Sequence, residues 1–172
     1  MTMKKCLCIT LLLMAVAISL TSCGSDEPKE KVTVNATYNM TFSQDLLNAC
    51  NVFITYKAEN GRNVMEAVSE TWWTKTVTSD KFPAEFGVMY KFSTKSDAEL
   101  TQETYDLACD MNFNFKTSKG ASYTKNVTII NASDVKKDKV VSTLNRYSGN
   151  STGFKVTIDG DVSPANNLNY DN

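Results

Sequence analysis

The sequence contains no histidine among its 172 residues. Ser-His-Asp triads, the 2-His-1-carboxylate iron site and His-ligated zinc all need an imidazole, so these sites are excluded. A cationic surplus is also missing, because 18 Lys and Arg residues stand against 19 Asp and Glu residues. Nucleic acid is therefore not an expected partner. We also expect no cofactor and no enzymatic activity, since the residues offer no nucleophile-base pair and no metal cluster.

Proline and glycine are scarce, at 3 and 7 residues, and 42 % of the chain is hydrophobic against 22 % charged. This composition is typical of a chain that folds and builds a core, not of a disordered or fibrous protein. If the first 22 residues are removed as a leader, 150 remain. That length favours a single domain.

The amino terminus carries the strongest localisation signal. Lys4 and Lys5 precede an apolar run over residues 6–20, which ends at Leu20-Thr21-Ser22-Cys23. The run is shorter than the ~20 apolar residues of a membrane-spanning helix and stops at a small-residue cleavage site. This segment resembles the lipobox of bacterial lipoproteins. The resemblance implies a signal peptide over residues 1–22 and a lipidated Cys23 that anchors the protein in a membrane.

Residues 23–31 are charged and turn-prone, and they predict a flexible tether. The acidic pair Asp26 and Glu27, close behind Cys23, is similar to the signal that Bacteroidetes use to export lipoproteins to the outer face of the outer membrane. The alternative is a solvated linker whose charges have no such meaning. We expect a lipid-anchored outer-membrane protein that faces the cell exterior.

Beyond the tether, apolar and polar residues alternate with a period of two, beginning at residues 32–42, as in a strand with one buried face. About seven such strands predict an all-β fold, a single antiparallel β-sandwich over residues 32–160. Residues 133–148 predict one short helix capped by Ser133 or Asp134, and residues 161–172 predict a loose tail. The remaining predicted strands cover residues 50–57, 64–77, 86–92, 109–115, 123–130 and 154–158.

Leu100, Thr104-Tyr105 and Cys109 resemble the strand of immunoglobulin and fibronectin type III domains that holds the tyrosine corner. The resemblance implies an immunoglobulin-like sandwich in which the Tyr105 hydroxyl reaches back to nearby backbone. A tryptophan about a dozen residues after Cys50, part of the immunoglobulin pattern, is missing. The mature chain also resembles a group of Bacteroidetes surface lipoproteins, which implies a sandwich and an envelope location but no activity. That likeness rests on Asp45-Leu46-Leu47, Thr55-Tyr56, residues 73–77, residues 81–84 and Tyr105-Asp106-Leu107.

Cys50 and Cys109 share the parity of the apolar residues in their strands, so both side chains should point into the core. The oxidising space outside the cytoplasm permits a disulfide between them, and their separation resembles that of the inter-sheet disulfide of immunoglobulin domains. Two buried free thiols are the alternative. Both possibilities remain open at this point.

Trp72 and Trp73 are neighbours, and a regular strand places neighbouring side chains on opposite faces. One indole should therefore lie in the core and the other at the surface. As candidate ligand-binding aromatics they could stack on a sugar ring. Alternatively, they close the edge of the core.

Other polar residues give weaker signals. Asp106, Asp110, Glu66 and Glu70 have no spacing that supports a glycosidase pair, and the Asp159-Gly160-Asp161 segment predicts a turn instead of a calcium loop. We expect a non-catalytic surface module that binds a glycan or another extracellular polymer. The alternative is a structural lipoprotein whose partner is another envelope protein.

Overall fold

The computed structural model describes residues 31–59 and 61–170, and the residues from Val32 onward form one compact unit. The predicted signal peptide, the lipidation site Cys23 and the tether up to residue 30 lie outside the described residues. Within that unit, two antiparallel sheets form a sandwich, which confirms the predicted all-β fold. Among the helices of the described ranges, none has the length and apolar character needed to cross a membrane.

The described chain contains nine strands, two more than the approximate number predicted. It also contains two short α-helices, α1 and α2, the second preceded by a 3₁₀ turn. The elements are β1 (Val34–Phe42), α1 (Gln44–Ala49), β2 (Cys50–Lys57), β3 (Asn63–Val68), β4 (Trp72–Ser79), β5 (Ala84–Thr94), β6 (Thr104–Thr117), β7 (Ser122–Lys136), the 3₁₀ turn (Lys137–Lys139), α2 (Val140–Asn145), β8 (Ser151–Val156) and β9 (Val162–Pro164).

The four-stranded sheet has the order β4-β1-β6-β7, and the five-stranded sheet has the order β3-β2-β5-β8-β9. Helix α1 joins β1 to β2, which lie in different sheets. In immunoglobulin constant domains the first two strands share a sheet. The likeness to immunoglobulin domains therefore covers the two-sheet architecture and not the strand order.

The core lies between the sheets and is rich in aromatic rings. Phe113 of β6 meets Phe154 of β8 edge-on across the sandwich, with ring centroids 4.7 Å apart. Tyr38 of β1 contacts the same Phe113 ring at 5.5 Å. Such pairs contribute about 0.5–1.5 kcal/mol each beyond the burial of their area. They fix the inner face of the four-stranded sheet and, by alternation, its outer face.

The corner expected at Tyr105 is present. Its hydroxyl accepts a hydrogen bond from the backbone N–H of Gln102, three residues upstream, at 3.0 Å. The Tyr105 side chain is 1 % exposed. This bond fastens the entry to β6 before that strand crosses the sheet.

The predicted helix begins later than its sequence pattern indicates, so the caps at Ser133 and Asp134 are wrong. Strand β7 continues to Lys136, and Val135 pairs with Tyr105. Asp134 adopts a positive φ of 54° in the irregular register opposite Asp106, and its N–H donates to Asp106 Oδ1 at 2.9 Å. A β-bulge therefore occupies the place assigned to the helix start.

Two further elements differ from the sequence pattern. Residues 64–77 form not one run but β3 and β4, in different sheets, separated at residues 69–71. Helix α1 has too few residues to show a helical period. Its amino terminus is capped by Ser43, whose hydroxyl accepts from the N–H of Leu46 at 3.2 Å.

The segment 161–172 was predicted to be loose, but its described part is packed. Strand β9 pairs with β8, and the chain then crosses the outer face of the five-stranded sheet. Leu168 and Tyr170 lie over Gly87 and Gly153, which are register partners in β5 and β8. A Cβ atom at Gly153 would lie 2.5 Å from Leu168 Cδ1, so the two glycines leave the space that this segment fills.

Candidate functional site

The outer face of the four-stranded sheet presents sixteen side chains in a regular array, which we call the polar grid. Strand pairing aligns four outward positions from each of β4, β1, β6 and β7 into four rows across the sheet. Every member is exposed or half-buried. The rows are Trp72-Thr41-Asp110-Thr128, Thr74-Asn39-Asn112-Asn126, Thr76-Thr37-Asn114-Thr124 and Thr78-Asn35-Lys116-Ser122.

The polar grid is almost free of charge. Thirteen of its sixteen residues are Asn, Thr or Ser. The two ionisable members, Asp110 and Lys116, have opposite charges and lie in the first and last rows, so the grid has no net charge. The last member is Trp72. A large polar surface with no net charge is suited to a ligand that offers many uncharged hydrogen-bonding groups.

One row is joined by side-chain hydrogen bonds across all four strands, and we call it the amide row. Thr74 Oγ1 donates to Asn39 Oδ1 at 2.7 Å, and Asn39 Nδ2 donates to Asn112 Oδ1 at 3.4 Å. Asn112 Nδ2 donates in turn to Asn126 Oδ1 at 2.6 Å. Each bond orients the next amide, so these side chains are held in place before any ligand arrives.

Other grid members are tied to their neighbours in the same way. Thr128 Oγ1 donates to Asp110 Oδ1 at 2.6 Å, and Thr78 Oγ1 donates to Asn35 Oδ1 at 2.7 Å. Hydroxyl and amide groups have more donors and acceptors than one such bond uses. The grid therefore keeps hydrogen-bonding capacity directed toward solvent.

A groove of about 300 Å³ lies on this face between two rows. Its polar walls come from the amide row on one side and from the row that begins at Trp72, the indole row, on the other. This volume is at the lower end of the range for small-ligand sites. The lining residues are Asn39, Thr41, Asp110, Met111, Asn112, Asn126, Val127 and Thr128.

The two tryptophans lie on opposite faces, as alternation predicts. Trp72 is 62 % exposed and stands beside Thr41 at the first position of the indole row. Trp73 is 8 % exposed, and its ring centroid lies 5.7 Å from that of Tyr56. Trp72 is therefore available to a ligand, whereas Trp73 belongs to the core and is withdrawn from the candidate binding residues.

Cys50 and Cys109 are buried free thiols, so the structure contains the second of the two predicted alternatives. The Cys50 thiol donates to the Leu46 carbonyl of α1 at 3.2 Å. Burial raises the pKa of Cys50 to about 12 and also raises the pKa of Cys109. Both thiols are protonated at neutral pH, and both lie away from the polar grid.

The remaining predicted polar residues do not converge on one site. Asp106 binds the β7 bulge, Asp110 lies in the polar grid, and Glu66 lies at the edge between the sheets. Residues 159–161 form the predicted turn, in which the Thr157 N–H donates to the Asp161 carbonyl at 2.9 Å. Within the described ranges, no group of three or more Cys, Asp or Glu side chains is placed to hold a metal ion.

Comparison with models of protein families gave no match, and comparison with curated proteins gave no similar sequence. The polar grid itself was not predicted as a site. The signal for it is visible in β1, where Asn35, Thr37, Asn39 and Thr41 alternate with apolar residues. That alternation identifies the four grid residues of β1. Which residues of β4, β6 and β7 lie beside them follows only from the register of the strand pairing.

Proposed function

We propose that this chain is a non-catalytic, lipid-anchored protein of the outer membrane that binds an extracellular polysaccharide at the outer face of its four-stranded sheet. The observation that carries the proposal is the polar grid, in which an exposed indole adjoins an array made mostly of amides and hydroxyls, with no net charge. Cys23 supplies the membrane anchor in this proposal, and the tether after it holds the domain away from the lipid.

The chemistry of the grid matches that of a sugar chain. A sugar hydroxyl both donates and accepts hydrogen bonds, and so do the Asn amide and the Thr hydroxyl. The apolar face of a pyranose ring packs on the flat surface of an indole, and Trp72 offers such a surface beside Thr41, at the β1 end of the groove. Because neighbouring side chains already orient the amides, binding needs little further ordering of the protein.

The test uses the domain 32–172, which contains the whole core. Isothermal titration with soluble neutral polysaccharides (a glucan, a mannan and a xylan) should detect binding of at least one of them. Trp72→Ala should weaken that binding by about 30-fold or more, the effect of truncating a tryptophan that dominates a contact.

Met65→Ala is the matched control, because Met65 is 66 % exposed but lies on β3 of the other sheet. We expect this variant to bind as the wild type does. Absence of binding to every neutral polysaccharide, or equal binding by wild type and Trp72→Ala, would overturn the proposal.

One observation favours a second candidate, a structural role in contact with another envelope protein. Met65 is an exposed apolar side chain on β3, an edge strand with backbone groups open to pairing. In that case the wild-type protein should form a crosslink to a partner protein in intact cells. Met65→Lys should abolish this crosslink, and Trp72→Ala should leave it unchanged. The opposite pattern supports the polysaccharide proposal.

A further inference from the structure

From the same face we infer which kind of polysaccharide binds and how it lies: a linear, uncharged chain that runs across the strands along the groove, with Trp72 at one end. This inference rests on the proposed function. It adds to the proposed function the direction in which the bound chain lies, the length of chain that is contacted and the absence of charge on that chain.

The direction follows from which grid residues form the groove. All its polar lining residues belong to two adjacent rows, the amide row and the indole row, and they come from β1, β6 and β7. Residues of the last row, such as Asn35 and Lys116, do not line it. A groove between two rows runs perpendicular to the strands. Trp72 on β4 extends the same line by one strand.

The length follows from strand spacing. Neighbouring strands lie about 4.8 Å apart, so the three steps from Trp72 on β4 to Thr128 on β7 span roughly 14 Å. The groove, which spans β1, β6 and β7, and Trp72 one strand beyond its β1 end together contact several consecutive sugar rings instead of one. Affinity should therefore rise with the number of sugars until the ligand reaches β7.

The hydrogen bonds of the amide row support an extended ligand. Each Asn amide carries two N–H donors, and Asn39 and Asn112 each use one for the next side chain in the row. The same orientation is repeated from strand to strand. A ligand with hydroxyls at regular intervals meets a regular series of donors, and this favours a linear polymer over a compact sugar.

The preference for an uncharged ligand follows from Asp110, the one ionisable residue among those that line the groove. Asp110 lies in the indole row on β6, and its Oδ1 already accepts from Thr128. A carboxylate accepts hydrogen bonds from sugar hydroxyls but repels the carboxylate of a uronic acid. Lys116, the cation of the grid, lies two rows from the groove. An uncharged chain therefore fits better than an anionic one.

The test determines whether the bound ligand runs along the rows, across the strands, or runs parallel to the strands. Domain 32–172 and its variants are titrated with glucan, mannan and xylan oligosaccharides of one to six sugars, and with polygalacturonate as the anionic comparator. Asn126→Ala changes the β7 end of the amide row. Asn35→Ala tests the strand direction, because it changes an Asn of the last row outside the groove. Asn51→Ala is the control, because Asn51 is exposed on β2 of the other sheet.

We expect Asn126→Ala to weaken binding of the longest oligosaccharides by about three- to tenfold, the effect of one lost hydrogen bond, and to leave the shortest nearly unchanged. Asn35→Ala should weaken binding less than Asn126→Ala does, and Asn51→Ala should have no effect. Thr128→Val, which keeps the shape of the side chain, should act as Asn126→Ala does. Unchanged thermal unfolding of each variant shows that the fold is retained.

Other results would overturn this inference while the proposed function stands. If Asn35→Ala weakens binding and Asn126→Ala does not, the ligand runs along the strands. Affinity that does not rise with length would exclude the extended site, and preference for polygalacturonate would exclude the uncharged class. A wild-type domain that binds no neutral saccharide of any length would instead remove the proposed function itself.

Discussion

The indole N–H of Trp73 donates to Oε2 of Glu66 at 2.9 Å, although the two residues belong to different sheets. Lys75 also reaches Glu66, with Nζ 2.6 Å from Oε1, and the Tyr56 hydroxyl donates to Oε1 at 3.2 Å. One carboxylate thus joins β3 and β2 of the five-stranded sheet to β4 of the other sheet. It holds the sandwich together at the edge where β4 carries Trp72.

Glu66→Gln should lower the free energy of unfolding at pH 7 by about 1–3 kcal/mol, because a charged acceptor of three hydrogen bonds is lost. Partial burial raises the pKa of Glu66, but the hydrogen bonds from Lys75, Trp73 and Tyr56 outweigh it and hold that pKa below its ordinary value of 4.5. The carboxylate's contribution is therefore present above pH 4.5 and is lost as the pH falls through the folded-state pKa. Urea unfolding at pH 7 and at acid pH measures both effects.

Glu85→Gln is the control for this experiment, because Glu85 pairs with Lys155 at 3.2 Å at the surface, with both side chains over 40 % exposed. An exposed pair contributes little, so its loss should change the unfolding free energy by less than about 1 kcal/mol. Identical acid profiles for wild type and Glu66→Gln would contradict the role given to Glu66.

Tyr105→Phe should destabilise the domain by about 1–3 kcal/mol, because the N–H of Gln102 loses its acceptor. The ring of Tyr105 is retained in this variant, so core packing is not the cause. Tyr123→Phe removes a hydroxyl from a partly exposed tyrosine of β7 and should change stability by less than about 0.5 kcal/mol. Equal unfolding midpoints for the two variants would show that the corner bond does not stabilise the fold.

Local patterns predicted much of this fold. The alternation of apolar and polar residues in β1 predicted which of its side chains point into the core and which point outward. The same rule placed Trp72 and Trp73 on opposite faces of the sheet. The tyrosine corner was recognised from residues around Tyr105. These features depend on periodicity or on residues close together in the chain, which is the information that a single sequence carries.

The features that were missed depend on distant pairing. Val135 looks helical in isolation, yet it pairs with Tyr105 some thirty residues earlier, and the bulge at Asp134 makes that pairing possible. The amide row needs Asn39, Asn112 and Asn126 in one register, which two separate strand pairings fix. Strand pairing of this kind follows from tertiary packing and is not readable from local periodicity.

Cys50 and Cys109 should titrate as two thiols when the unreduced domain 32–172 is unfolded, because both are free. In the native domain both should react slowly with a thiol reagent even near pH 9, since burial raises the pKa of Cys50 to about 12 and also raises that of Cys109. The measurement is a thiol titration with and without denaturant. An unfolded domain in which no thiol reacts until a reductant is added would instead contain a disulfide.

Gly153→Ala should destabilise the domain by about 1–3 kcal/mol through overpacking. The added Cβ would lie 2.5 Å from Leu168 Cδ1 and 2.9 Å from the Ala165 carbonyl oxygen. A chain that ends after Pro164 lacks both atoms, so the same substitution should cost much less there. Chemical unfolding of the four proteins measures the difference. An equal cost in the full and shortened chains would show that residues 165–170 do not pack on the sheet in solution.

Cys23→Ala in the full-length chain should abolish labelling with a fatty-acid analogue and move the protein out of the detergent phase, because the lipobox predicts Cys23 as the modified residue. Cys8→Ala is the matched control, since Cys8 lies in the apolar run of the predicted leader and should leave labelling unchanged. Surface exposure is measured separately, by protease treatment of intact cells beside a known surface marker. A Cys23→Ala protein that still carries lipid would remove the anchor, and with it the basis for placing the polar grid at the cell exterior.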